Sequence, residues 1–248
     1  MLDAFFWGMV STSSLIVGGL IGCWFNVGKR TLGLVMAFGA GVLISAVAYE
    51  LVFEAVTLAK MSGGPALGLF AGALTFFLAD RVISNMGADK RKSIAAPAGA
   101  AAMVVPLVLG ILLDGIPESL VIGLGILEGG TVSIAMLVAV FISNVPEAVA
   151  GTAAMRASGW SSAKVLLLWL GIAVFCALAT VAGFGLFGGV PAFWLAVVQA
   201  FAAGAILTML GNTMIPEAYE NGGTLVGLVL VFGFAVAVMV TVLERAAT

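Results

Sequence analysis

The sequence contains no histidine, and it has only two cysteines, Cys23 and Cys176, both of which lie inside apolar runs. The absence of imidazole excludes a zinc cluster of the Cys/His type, a haem held by histidine and a rhomboid-type pair of serine and histidine. Two separated cysteines in apolar runs also exclude a framework of disulfides. These absences remove several classes of protein before any motif is considered.

Charge is also scarce. Only 9% of the 248 residues are charged, 62% are hydrophobic, and the mean hydropathy is +1.24. A soluble domain needs far more polar surface than this composition supplies, so we predict an integral membrane protein that crosses the bilayer several times. We expect it in a bacterial inner membrane, with the lipid bilayer as its surroundings and with no nucleic-acid partner.

Long apolar runs divide the sequence, and a membrane-spanning helix needs about 20 apolar residues. By that measure we predict an all-α fold with eight spans, at about residues 4–26, 33–58, 65–84, 101–127, 131–155, 163–187, 191–216 and 223–243. No stretch between them is long enough for a soluble domain, so residues 1–248 form one transmembrane domain. Eight of the ten Lys and Arg residues fall on one side of this arrangement, which predicts that both termini lie outside the cytoplasm.

A repeat relates two of these spans. At a shift of 163 residues, Ala37–Gly41 aligns with Ala200–Gly204, and Glu54 aligns with Glu217. Because the predicted directions of the second and seventh spans are opposite, the repeat is inverted, as in many secondary transporters. The two central spans then lie between two triplets in a 3+2+3 arrangement. The alternative is a match between helices that are both merely rich in Ala and Gly.

The two central spans carry the same polar pattern around an internal proline. In the first, Asp114 and Glu118 are four residues apart and share one helix face, with Pro117 between them. The second repeats the design over Ser143–Glu147, at a shift of 29 residues. Carboxyl groups at mid-membrane are costly and usually functional, and each proline frees a backbone carbonyl beside them. The pattern predicts a cation site.

With these motifs in view, the chain resembles the ZIP (zinc/iron permease) family of divalent-metal transporters over its whole length. Members typically carry His-Asn-x-Pro-Glu-Gly in the fourth span and a related x-Pro-Glu motif in the fifth. Here these motifs read Asp-Gly-Ile-Pro-Glu-Ser from residue 114 and Ser-Asn-Val-Pro-Glu-Ala from residue 143. The resemblance implies a metal transporter, not an enzyme, that forms a homodimer and needs no cofactor besides the metal it carries. It implies metal ligands at Asp114, Glu118, Asn144 and Glu147, with Ser143 at a flanking position.

The departures from the family pattern bear on the identity of the metal. The motif histidines are replaced by Asp114 and Ser143, and Gly115 has no side chain with which to bind. The remaining ligands are oxygen atoms, which suit Mn²⁺, Mg²⁺ or Ca²⁺ better than zinc, although carboxylates bind zinc too. Zinc, manganese and iron are the metals we expect to be carried. Four further acids are predicted to line the pathway as weaker, more solvated sites: Glu50, Glu54, Glu217 and Glu220.

The same residues are compatible with several other roles. Asp114 and Glu118 could form a protonated pair that only hydrogen-bonds neighbouring helices, and Asn144 could make an interhelical amide bond. The pathway acids could simply be solvated. A channel, a carrier for another cation or small solute, or a ZIP-like protein without transport would use the same carboxylates. An aspartyl intramembrane protease needs two aspartates at mid-depth, and Asp114 is the only one.

Overall fold

The computed structural model describes residues 1–85, 104–129 and 132–247. Over these residues the protein is helical and contains no β-strand. The helices are, in chain order, α1 (Leu2–Trp24), α2 (Lys29–Ala46), α3 (Phe53–Leu58), α4 (Gly64–Asn85), α5 (Val104–Gly129), α6 (Ile134–Ala157), α7 (Ser162–Leu186), α8 (Ala192–Met209), α9 (Ile215–Gly222) and α10 (Val226–Ala247). π-Helical segments join α2 to α3 (Val47–Val52) and α8 to α9 (Leu210–Met214), and a 3₁₀ turn joins α9 to α10 (Gly223–Leu225).

Seven helical runs within the described ranges are long and apolar enough to cross a membrane. Six of them correspond to the first six predicted spans, with ends that differ by a few residues. The seventh run, Ala192–Glu244, has 53 residues and contains both of the last two predicted spans. Three of the basic loop residues that predict the orientation, Lys90, Arg91 and Lys92, lie outside the described residues. The described helices are those of a multi-pass membrane protein.

The last run reverses direction at Gly223, whose φ of 70° is one that residues with a Cβ rarely adopt. After the turn, α10 follows α2 in the same direction. Leu230 lies against Gly41, and further along both helices the Thr241 hydroxyl donates a hydrogen bond of 3.2 Å to Glu50. α10 is therefore a separate helix and not an extension of α8 and α9.

Along another face of α2, the α8–α9 run points in the opposite direction. Gly39 lies against Met214, and Gly33, nearer the start of α2, lies against Gly222. Gly39 also faces α6, because a methyl group on it would come within 3.2 Å of both Met214 Cε and Ser143 Cα. The missing side chain at position 39 thus brings three helices together.

The crossings of α2 with α10 and of α4 with α8 use matching positions. A methyl group on Gly41 would lie 1.9 Å from a carbonyl oxygen of α10, and one on Gly204 would lie 1.9 Å from a carbonyl oxygen of α4. Only glycine lets two helix backbones approach this closely. Gly41 and Gly204 are 163 residues apart, as are Val47 and Leu210, where the two π-helical segments begin.

The helices pack in two groups. α1, α5, α6 and α7 form one group, and α2, α4, α8 and α10 form the other, with α2 against α6 as the most extensive contact between the groups. A polar contact also joins them. Glu244 near the end of α10 accepts a hydrogen bond of 2.6 Å from the backbone N–H of Ile134, at the start of α6. A carboxylate is favourable there because the helix dipole is positive at that end.

Candidate functional site

α5 carries two acids at its most enclosed part. The helix is apolar over most of its length, and Asp114 and Glu118 lie one turn apart beside the internal Pro117. Asp114 is 2% exposed and Glu118 is 1% exposed. Pro117 has no N–H to donate to the carbonyl of Leu113, so this oxygen is available next to both carboxyl groups. Because burying two ionisable groups among apolar helices is costly, their presence indicates a role that apolar side chains cannot fill.

α6 approaches these acids with the second motif. Ser143 and Asn144 are buried, and Glu147 is partly buried. The Asn144 amide nitrogen donates a hydrogen bond of 3.5 Å to Glu118 Oε2, which joins the two motifs across the helix interface. The Ser143 hydroxyl donates instead within its own helix, to the carbonyl oxygen of Val140 at 3.0 Å. Asn144 therefore belongs to the site, whereas Ser143 lies beside it.

The predicted ligands are not all gathered around one point. Within the described ranges, no three Cys, Asp or Glu side chains lie close enough to hold one metal ion. Glu118 and Asn144 are in contact, whereas Asp114 lies one turn before Glu118 on α5 and Glu147 lies one turn after Ser143 on α6. A cation that used all three acids would therefore require these side chains, or the helices that carry them, to move closer together.

The predicted pathway acids lie toward the two ends of α2. Glu50, in the π-helical continuation of α2, is partly buried, and Glu54 is exposed. At the other end, α9 lies beside Gly33 and carries Glu217, which is 8% exposed, and Glu220, which is exposed. All four acids are predicted to line the pathway, but they differ in exposure to solvent.

Two sulfur-bearing side chains lie beside the motifs, and neither was predicted as a site residue. The Sγ of Cys176 on α7 is 2.9 Å from the place that a Gly115 Cβ would occupy, and Met214 Cε is 3.2 Å from the equivalent place at Gly39. Both sulfur side chains are buried. Spacing along the chain does not tell which distant helix packs against a motif. The glycines at positions 115 and 39 are the one signal in the sequence for these contacts, because another helix can pack closely against a residue that has no side chain.

The site thus consists of buried acids on α5 and an amide and a further acid on α6. It offers carboxylate, amide and backbone carbonyl oxygens, which are ligands that divalent cations take in proteins. No protein-family model and no curated protein matches the chain, so its function is inferred from this arrangement.

Proposed function

We propose that the protein transports divalent metal cations across a membrane and is a divergent ZIP-like transporter. The observation that supports this most directly is the contact between Asn144 of α6 and Glu118 of α5, two buried motif residues on separate helices. A bound divalent cation would supply the positive charge that buried carboxylates require. Zinc, manganese and iron are the candidate cargoes. The proposal includes a homodimer, which the resemblance to the ZIP family implies. It also places the protein in a bacterial inner membrane.

The proposal includes eight spans with both termini outside the cytoplasm. The reversal at Gly223 supports it, since this turn divides Ala192–Glu244 into two antiparallel helices. The directions of neighbouring helices also fit eight alternating spans: α1 is parallel to α6 and antiparallel to α7. The matching crossings at Gly41 and Gly204, and the matching π-helical segments, support two inverted triplets around α5 and α6.

In the proposed mechanism Glu118 is the central ligand. Asn144 donates its amide N–H to Glu118, which leaves the amide oxygen to bind a cation beside the same carboxylate. Asp114 extends the site along α5 and Glu147 extends it along α6, each beside the carbonyl that its proline frees. These groups are not yet gathered, so a cation that binds them all would draw α5 and α6 together within their helix group. Because α6 also packs against α2 of the other group, we expect this change to shift the two groups relative to each other, and alternating access requires such a movement.

The pathway follows α2. Ser143 lies against Gly39, whereas α9 with Glu217 lies near Gly33. At a rise of about 1.5 Å per residue, position 39 is roughly 9 Å along the axis from Gly33 and roughly 16 Å from Glu50. Acids therefore flank the buried site from both sides. This is the arrangement needed by a cation that approaches from one side of the membrane and leaves on the other.

Initial-rate uptake into proteoliposomes tests the proposal. Wild-type protein and Glu118→Gln are compared for Zn²⁺, Mn²⁺, Fe²⁺, Co²⁺, Mg²⁺ and Ca²⁺. Glutamine keeps the size of glutamate and removes its charge, so we expect saturable uptake by the wild type and none by the variant, with equal expression and monodispersity.

Three other results have definite meanings. Uptake that does not saturate would identify a channel. Equal uptake by both proteins would remove Glu118 from the mechanism. No metal uptake above that of empty liposomes would overturn the proposal and direct the search to other cations or a role without transport.

A further inference from the structure

The sulfur atom of Cys176 lies against Gly115, the position in the α5 motif that has no side chain. Gly115 follows Asp114, and a Cβ built on it would lie 2.9 Å from the Sγ of Cys176. That distance is too short for an ordinary contact, so the thiol sits where a side chain at position 115 would begin. A sulfur atom from α7 is thus adjacent to the middle of the α5 motif.

Two polar side chains of α5 lie near this thiol. Ser119, one turn after Gly115, is buried, and its hydroxyl lies beside Cys176 without making a hydrogen bond of good geometry. Glu118, also buried, lies within electrostatic range of the thiol. A thiol, a hydroxyl and a carboxyl group therefore share one enclosed region between α5 and α7.

Packing alone does not explain this grouping. Cys176 belongs to an apolar cluster with Leu107, Ile111 and Trp169, where a free cysteine acts as a small hydrophobic residue and packing does not require sulfur. A buried hydroxyl such as that of Ser119 needs a good hydrogen bond, and the Cys176 thiol beside it is only a weak partner. A cation, or a water molecule bound to one, would engage the hydroxyl and the thiol together.

We propose that Cys176 is a sulfur ligand of the transported metal and gives the site a preference for borderline and soft cations. The inference rests on the proposed function and deepens it. Glu118 connects the two parts of the site, since it accepts a hydrogen bond from Asn144 and also lies near Cys176. Sulfur favours Zn²⁺ and Cd²⁺ over Mn²⁺, Mg²⁺ and Ca²⁺. An oxygen-only site has the opposite preference, so the metal ranking distinguishes the two.

The contact between the metal and sulfur is tested by adding Cd²⁺ to the purified full-length protein in detergent and recording the ultraviolet absorption. A cadmium–sulfur bond absorbs in the ultraviolet by charge transfer, which cadmium–oxygen bonds do not. Cys176→Ser keeps the shape of the side chain, and Cys23→Ser is the matched control because Cys23 is the partly buried cysteine of α1. We expect the absorption in the wild type and in Cys23→Ser, and none in Cys176→Ser. A band that survives in Cys176→Ser, or none in the wild type, would overturn the inference.

Uptake separates this inference from the proposed function. In Cys176→Ser we expect the ratio of Zn²⁺ to Mn²⁺ uptake to fall by about tenfold, a loss comparable to that from perturbing the surroundings of a metal site. Gly115→Ala is a second variant, since its methyl group displaces the thiol without removing it, and the ratio should fall there too. An unchanged ratio in both variants would exclude Cys176 as a ligand while leaving transport intact. Absence of all metal uptake would refute the proposed function, and the cadmium absorption would then decide on Cys176.

Discussion

Most of the acids of this protein lie in, or directly after, two pairs of irregular helices, and the two pairs place them in different surroundings. In the central pair, α5 and α6, an internal proline interrupts the helical hydrogen bonds, and Asp114 and Glu118 are enclosed by neighbouring helices. In the outer pair, α2 and α8, the helix widens into a π-helical segment, and the acids that follow include Glu54 and Glu220, which are exposed.

Equal spacing does not give equal surroundings. Asp114 and Glu118 are four residues apart, as are Glu50 and Glu54, so each pair lies on one helix face. α5 is covered by α7 and α8, and α6 brings Asn144 to Glu118, whereas the short α3 packs mainly on α8. The helices that pack around the two pairs therefore differ, and a charge in a low-dielectric interior interacts with another charge more strongly than an exposed one does.

The largest effect is expected at Glu147, the most exposed of the central acids. Glu147→Gln removes the charge that α6 contributes to the site, so metal uptake into proteoliposomes should fall to the level of empty liposomes. Expression and gel filtration show whether the variant is folded. Wild-type uptake by Glu147→Gln would mean that the site is built on α5 alone and that the second motif is structural.

The next largest effect is expected on the stability of the protein, at the tight crossing of α4 and α8. A methyl group on Gly72 of α4 would lie 1.9 Å from the carbonyl oxygen of Phe201 on α8, so Gly72→Ala must push the two helices apart. We expect a loss of about 1–3 kcal/mol in unfolding free energy, measured as a lower thermal midpoint in detergent. Gly171→Ala is the control, because nothing lies within 4 Å of its added methyl group. Equal midpoints for the two variants would show that the α4–α8 crossing is not tight.

The helical class and the positions of the motifs are predictable because they depend on local information, namely apolar runs and prolines. The repeat is less local, yet Gly41 and Gly204 cross their partner helices in the same way. Burial does not follow from the repeat: Glu217 is 8% exposed, whereas its counterpart Glu54 is exposed. The contact of Cys176 with the α5 motif was also beyond prediction. Both depend on which distant helix covers a position, and no spacing in the sequence encodes that.

The smallest effect is expected at Glu54, and it tests whether an exposed acid contributes to uptake only through long-range attraction of the cation. An exposed charge acts on an approaching cation only through solvent, so Glu54→Gln should change uptake by less than about fivefold, the factor that corresponds to about 1 kcal/mol. Any difference from the wild type should shrink with added salt, because screening at 0.1 M ionic strength acts over about 10 Å. Initial rates at low and high salt measure both quantities. A loss as complete as that expected for Glu147→Gln, and independent of salt, would make Glu54 a ligand in spite of its exposure.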